Sequence, residues 1–234
     1  TTVTQSPHFS GDSFLDVLKN VFQHENFRGM QRQVVESIAS NKDTLTIIQT
    51  GGGKSVCYWV PGLVTAGVTV VITTLVALLN DQVSKLRNCG IKVYCVNSNM
   101  TPEERDIVFH ELTKHETECK FFYLTPEFAL SPPATSCFQA MVNNKTLLRF
   151  VLDEAHCVNT WGQGFRPSYG QLGKLKQFKR PIAAFTGTAT DQTKNRIVEK
   201  LGLVQPVIHQ STCNRSNLQY KVIPKNEQHS KEHV

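Results

Sequence analysis

The chain has 234 residues, of which 40% are apolar and 19% charged, with 14 glycines and 10 prolines. That composition suits one large domain or two small ones around a sizeable core, and it excludes collagen, coiled coil and wholesale disorder. Lys and Arg number 25 against 19 Asp and Glu, so the net charge is +6, a mild excess compatible with a polyanionic partner but too small to assign one.

Helix-period and strand-like segments alternate along the chain. Phe14, Leu15, Val17, Leu18, Val21 and Phe22 follow helical spacing, with Asp12 or Ser13 placed as an N-cap. Met30–Ala39 repeats the pattern through Val34, Val35 and Ile38. A short apolar run, Thr44–Ile48, leads into glycines and a helix-like stretch from Lys54. Thr69–Thr73 reads as a second strand and Leu75–Leu86 as a helix. Further strands are predicted at Lys92–Val96, Lys120–Leu124, Leu147–Leu152 and Pro181–Phe185, with helices at Pro102–Thr113 and Gln192–Leu201. Short, unbroken apolar strands separated by helices predict an α/β fold, a parallel sheet covered by helices on both faces. The polar stretch Lys221–Val234 has no core pattern and reads as a linker or the truncated start of something else.

No run approaches the ~18 apolar residues of a membrane-spanning helix, and Thr1–Asp12 lacks the layout of a signal peptide. The seven cysteines are odd in number and widely spaced, with no C-x-x-C. That pattern disfavours a disulfide scaffold or a Cys-rich zinc site and fits buried free thiols in a reducing compartment.

The sharpest local signal is Thr50-Gly51-Gly52-Gly53-Lys54-Ser55, which follows a strand and opens a helix, as a phosphate-binding loop requires. Glycines let backbone N–H groups turn inward, and the helix N-terminus adds the positive end of its dipole. Lys54 is then within reach of β- and γ-phosphates, and the Ser55 hydroxyl of Mg²⁺. The strict pattern wants Gly or Ala five residues before Gly53, where Ile48 stands. A second signal reinforces the first. Phe150–His156 is an apolar strand ending in Asp153 and Glu154. A carboxylate at a strand's C-terminal end suits a nucleotide-bound Mg²⁺, which Asp153 would hold, and Glu154 is placed to activate water. Thr186–Thr190 puts hydroxyls at the next strand end, a weak signal by itself.

Thr160–Tyr169 carries two glycines and a proline, so it is neither a regular helix nor a central strand. It displays Trp161, Phe165, Arg166 and Tyr169, aromatic rings and a guanidinium that suit base stacking and phosphate contact with single-stranded nucleic acid. Arg166–Arg180 then holds Lys174, Lys176, Lys179 and Arg180 with no acid, a run that usually marks a solvated helix face.

Taken together, these motifs resemble the RecQ family of DNA helicases, in superfamily 2, from about Phe14 to Tyr220. The likeness covers the first RecA-like lobe of a two-lobed motor. It implies a RecA-like P-loop fold over 13–212, an N-terminal extension over 1–12 expected to be flexible, and a linker or the start of a second lobe over 213–234. Phe22–Gln31 (FQHENFRGMQ) resembles the family's adenine-recognition motif, which gives Gln31 to the adenine edge and His24 and Arg28 to the ring, although the family usually has Tyr at His24. Gln49–Ser55 resembles its phosphate loop, which also lacks the early glycine. Val70–Val83, with Asp81-Gln82-Val83, resembles the motif that tracks the DNA backbone; Tyr123–Glu127 and Leu152–Val158 (LDEAHCV) match further motifs. In the aromatic-rich loop, Gln163 and Gly164 replace a His-Asp pair that the family uses to couple DNA contact to hydrolysis.

The resemblance implies ATP and Mg²⁺ as ligands, and DNA and a second RecA-like lobe as partners. It also implies 3′-to-5′ unwinding in genome maintenance, and a nuclear location if the source is eukaryotic. Two rivals stay open: a nucleotide-gated binding module with weak or lost unwinding, and an RNA-directed remodeller of superfamily 2. An isolated lobe lacks the partner lobe's arginine, worth ~10³–10⁵ in rate for such fingers, and is expected to hydrolyse ATP hardly at all.

Overall fold

The computed structural model describes residues 12–49, 51–74, 76–159, 168–187 and 189–211. Seven strands, β1 (Thr44–Ile47), β2 (Val68–Ile72), β3 (Val93–Val96), β4 (Phe121–Leu124), β5 (Leu147–Leu152), β6 (Ile182–Thr186) and β7 (Val207–Gln210), form one sheet in the order β3-β4-β2-β5-β6-β1-β7. Every pairing is parallel. Parallel neighbours need crossovers, and helices supply most of them: α3 (Lys54–Val64), α4 (Val76–Asn88), α5 (Pro102–Leu112), α6 (Pro126–Ala129) with α7 (Pro132–Asn143), and α8 (Asp191–Leu201); α1 (Ser13–Asn20) and α2 (Gln31–Ala39) precede the first strand.

Period-two alternation divides each central strand between two cores. Val68, Val70 and Ile72 of β2 join Phe122, Phe150 and Leu152 beneath α5, α7 and α8, represented by Leu112, Phe138 and Ile197. Val71 of β2 joins Phe121, Tyr123, Val151 and Phe185 beneath α2, α3 and α4, represented by Ile38, Cys57, Leu79 and Leu86. Each such side chain contributes about 1.5–3 kcal/mol by leaving water. The helix α1 lies outside this second layer, its Val17 and Leu18 packed on Val35, Val56 and Val60. The Asp12 carboxylate caps it by accepting from Leu15 N at 3.3 Å.

The predicted elements fall within a residue or two of those observed, and the parallel sheet with helices on both faces is borne out. Five segments escaped the sequence reading, the shortest being the single turn α6. In α7 the buried residues Ala134, Cys137, Phe138 and Met141 do follow helical spacing, but two prolines open the helix and small residues weaken the signal. Strand β7 is a half-exposed edge, with little apolar content to mark it. Two 3₁₀ stretches, Ala155–Asn159 and Tyr169–Phe178, follow β5. The second buries Leu172, Leu175 and Phe178 at intervals of three, which a 3₁₀ helix aligns on one side. The basic run through Arg180 is therefore a packed segment with a charged outer side, not a regular helix.

Six of the seven strands are entered through a left-handed residue: Asn41, Gly67, Gly90, Lys145, Lys179 and Gln205. These residues end the preceding segments and turn the chain back into the sheet at its N-terminal edge. The opposite edge, where the strands finish, is left for the glycine loop and the acidic pair.

Candidate nucleotide site

Strand β1 delivers the chain to the glycine loop. Ile48 N still donates to Thr186 O of β6 (3.0 Å), and Gly52 N closes a turn on Gln49 O (3.0 Å). Gly51 and Gly53 take φ of 83° and 76°, a region that side chains disfavour. Gly53 caps α3 with no side-chain acceptor. The N–H groups of that first helical turn and the dipole behind them therefore face the loop, as an anion site needs. A Cβ at Gly52 would strike Ile48, and one at Gly53 would strike Gln31, so both positions exclude a side chain. Thr50 lies outside the described residues.

Gln31 opens α2 and is only 5% exposed. Its Nε2 donates to Gly52 O (3.2 Å) and Gly53 O (3.3 Å), and its Oε1 accepts from Arg28 N (2.8 Å). Both amide hydrogens are thus engaged inside the protein, leaving one lone pair for an incoming base. His24 and Arg28 sit exposed on the loop before α2. The sequence pairs Gln31 with a ligand; the structure adds that it braces the glycine loop.

The acidic pair arrives from β5. Asp153 N donates to Ile72 O at 2.9 Å, which extends the strand ladder by one residue. Glu154 turns left-handed (φ 57°), and its N–H donates to Asp153 Oδ1 (3.0 Å). Lys54 Nζ, on a side chain 11% exposed, lies 2.9 Å from Glu154 Oε1 and 3.7 Å from Asp153 Oδ1. The loop lysine and both acids are therefore in one place, 100 residues apart in the chain.

Burial raises the Asp153 carboxyl above its ordinary range, and Lys54 only partly offsets it. A buried carboxylate in this position gains from a further cation. Glu154 is held down at about 2 by His156 and then Lys54, against the opposing effect of burial. His156 Nδ1 stands 3.3 Å from Glu154 Oε2 and 3.0 Å from Thr186 Oγ1. His156 is raised by the Cys157 sulfur, 3.9 Å from Nε2, and by the Glu154 carboxylate. Tyr169, fully buried, donates from its hydroxyl to Asp153 O at 2.6 Å.

His156, Thr186 and Tyr169 thus form a layer beneath the acids. Thr186 was readable as a hydroxyl at a strand end. Tyr169 corrects an expectation: the sequence groups it with the displayed aromatics of the loop, whereas the structure buries it, with its hydroxyl turned to the backbone of the acidic pair. His156 gave no signal beyond its place in LDEAHCV. The proposed nucleic-acid contacts Trp161, Phe165 and Arg166, with Gln163 and Gly164, lie outside the described residues. In Asp81-Gln82-Val83, Gln82 and Val83 face the core, and Gln82 Oε1 accepts from Tyr58 OH at 2.7 Å. Asp81 faces solvent, paired with Lys85 at 2.7 Å. That match therefore reflects packing between α3 and α4 as well as any outer contact.

The donor set suits a triphosphate with its metal. Glycine N–H groups, a helix N-terminus and a lysine are the donors that phosphates would need, and Asp153 and the neighbouring Ser55 carry the hard oxygens that a metal would need. Among the described residues no three His, Cys, Asp or Glu side chains gather as a metal cage. A Mg²⁺ bound mainly through substrate phosphates uses one or two protein ligands instead.

The DEAD/DEAH box helicase family profile matches residues 28–197. This chain belongs to the DEAD/DEAH box helicase family. It is 40% identical over 210 residues to the ATP-dependent DNA helicase Q-like 4B of Arabidopsis thaliana, covering 88% of this chain and 18% of that protein. It is 37% identical over 217 residues to the ATP-dependent DNA helicase RecQ of Synechocystis sp., covering 90% of this chain and 44% of that one. To the RecQ-like DNA helicase BLM of Xenopus laevis it is 36% identical over 222 residues, covering 94% of this chain and 16% of the relative. The RecQ likeness read from the motifs is borne out, and the chain spans less than half the length of these relatives. Among solved structures, the DUF1998 helicase MrfA bound to DNA and AMPPNP superposes with a TM-score of 0.65 at 17% identity, covering 86% of this chain and 29% of that one. A hypothetical ATP-dependent RNA helicase from Sulfolobus tokodaii gives 0.64 at 15%, covering 86% and 57%. These two likenesses speak to the fold.

Proposed function

We propose that this chain is the ATP-binding motor lobe of a RecQ-like helicase that couples ATP hydrolysis to 3′-to-5′ translocation on DNA. The observation that carries the reading is the convergence of Lys54, Asp153 and Glu154 at the mouth of the glycine loop. In this reading Lys54 exchanges the Glu154 carboxylate for β- and γ-phosphate oxygens when nucleotide enters. Glu154 then loses one of the two cations that hold its carboxyl at about 2, and gains basicity for orienting and deprotonating the attacking water. Ser55 Oγ and Asp153 would hold Mg²⁺, which supplies charge neutralisation on the phosphates when bound. Gln31, with His24 and Arg28, would receive the adenine, and Thr50 and Gly51–Gly53 the phosphates.

Trp161, Phe165 and Arg166 would contact single-stranded DNA just beyond the acids, and a second RecA-like lobe would close the site. A role in replication, recombination and repair, and a nuclear location if the source is eukaryotic, belong to the same reading, which the relatives' description as DNA helicases supports. The test is duplex unwinding by the full-length protein and its Glu154→Gln variant. Loss of unwinding with nucleotide binding retained supports the motor. Equal unwinding by both proteins would contradict it. The sequence Gln163-Gly164, where the family has His-Asp, favours one alternative, a nucleotide-gated DNA-binding module. That alternative requires DNA affinity to change with nucleotide while the wild type does not unwind.

A further inference from the structure

Four cations that the nucleotide site does not use, Lys42, Lys176, Lys179 and Arg180, gather at the opposite edge of the sheet. A cavity of about 540 Å³ opens there between the segments that enter β1, β6 and β7, and Lys42, Asp43, Lys176, Lys179 and Arg180 line it. Strand β1 separates it from the glycine loop by roughly 13 Å, four residues at ~3.3 Å each. Asp43, the one acid of the lining, is already satisfied. Its carboxylate accepts from Lys176 Nζ (2.8 and 3.0 Å), Ile182 N (2.8 Å) and Val204 N (2.7 Å). Asp43 therefore neutralises Lys176 and ties three segments together, with little left for the other cations.

Lys42, Lys179 and Arg180 have no carboxylate partner among the described residues. Lys42 and Lys179 are exposed, and Arg180 is half-buried with its Nε sealed from water and unbonded. Such a group costs free energy until an acceptor reaches it or its neighbours rearrange.

We infer that this cavity is a second nucleic-acid contact, binding the phosphodiester backbone by Lys42, Lys179 and Arg180 on the sheet edge remote from the nucleotide. Three uncompensated cations on one concave surface complement a polyanion. No aromatic side chain lines the cavity, whereas a docked acidic peptide would be expected to seat an aromatic or large apolar anchor. The contact is electrostatic and independent of base sequence. It neither uses nor requires Lys54, Asp153 or Glu154, so its failure and that of the motor reading are separable.

The experiment is the salt dependence of DNA binding by this chain without nucleotide. A labelled duplex and the matching single strand are titrated between ~50 and ~200 mM NaCl, where phosphate contacts give a slope of about −0.9 each for duplex and −0.7 for single strands. The triple variant Lys42→Gln, Lys179→Gln, Arg180→Gln is expected to bind more weakly, with a duplex slope shallower by ~2–3 and an unchanged unfolding midpoint; Lys42→Gln alone loses about one. Loss on both DNA forms identifies the phosphodiester itself, and loss on duplex alone a site spanning two strands. Unchanged slopes, or no DNA binding at the lowest salt, would overturn the proposal. So would a polyglutamate peptide that binds more tightly than DNA and is lost in the same variant, because the surface would then serve an acidic protein.

Discussion

Lys54 Nζ sits 2.9 Å from Glu154 Oε1, so the cation of the phosphate loop is held by the acid that would activate water. The two roles compete for one contact. In the proposed exchange a phosphate takes the place of the carboxylate on Lys54, and Glu154 becomes a stronger base once that contact is lost.

Two substitutions separate these roles. Glu154→Gln removes the competing charge, so ATP affinity in the full-length protein should hold or rise while hydrolysis falls by ~10²–10⁴. Lys54→Ala should lose nucleotide affinity by an order of magnitude or more, since a charged hydrogen bond is worth about 1.5–3 kcal/mol. Equilibrium titration with a fluorescent ATP analogue reads both. Weaker binding by Glu154→Gln would contradict the exchange.

The Glu154–His156 pair predicts a pH window. Glu154 falls from an ordinary 4.5 to about 2 in the folded state, so its contribution is complete above about 4.5 and lost as pH drops through 2. His156 rises from an ordinary 6.5 to about 10, so its contribution is complete below about 6.5 and lost as pH rises through 10. Urea unfolding of wild type and His156→Gln should therefore differ most between pH 4.5 and 6.5 and converge by about pH 10. A gap that is flat across this range would show that the pair contributes nothing.

Asp43 holds the N-terminal edge of the sheet together. Asp43→Ala strands Lys176 and two backbone N–H groups, at Ile182 and Val204. The expected cost is about 2–4 kcal/mol, read as a lower urea midpoint. Lys176→Met should cost less, because the carboxylate keeps both backbone donors.

Gln31 separates bracing of the loop from recognition of a base. Gln31→Glu puts a carboxylate oxygen where Nε2 now donates to Gly52 O and Gly53 O. The lost bonds and new repulsion should cost about 1–3 kcal/mol of loop order, on the order of tenfold in affinity. If Gln31 braces the loop, GTP and ATP weaken together. If it only reads adenine, ATP alone weakens.

Much of this was legible in the chain. Unbroken apolar runs such as Thr69–Thr73 marked the parallel sheet, because a strand covered on both faces has no polar side to alternate. Lys54 and the Asp153–Glu154 pair were legible together: an acidic strand end by itself is ordinary, but one that follows a strand–glycine-loop–helix in a parallel α/β pattern is not. Their partners were not. Nothing local distinguishes Tyr58 and Gln82, which meet at 2.7 Å inside the core, from any buried polar pair. His156 and Tyr169 act by meeting groups from other segments, and nothing local marks Asp43, whose partners come from three distant segments. Such roles depend on the register of parallel strands, which only the folded sheet sets.

The most direct measurement is a crystal structure of this chain with Mg²⁺ and a non-hydrolysable ATP analogue. The account predicts Lys54 Nζ on the β- and γ-phosphate oxygens, the Lys54–Glu154 contact broken, and Asp153 and Ser55 at the metal. An analogue bound elsewhere, with Lys54 still held by Glu154 and the glycine loop unfilled, would contradict it.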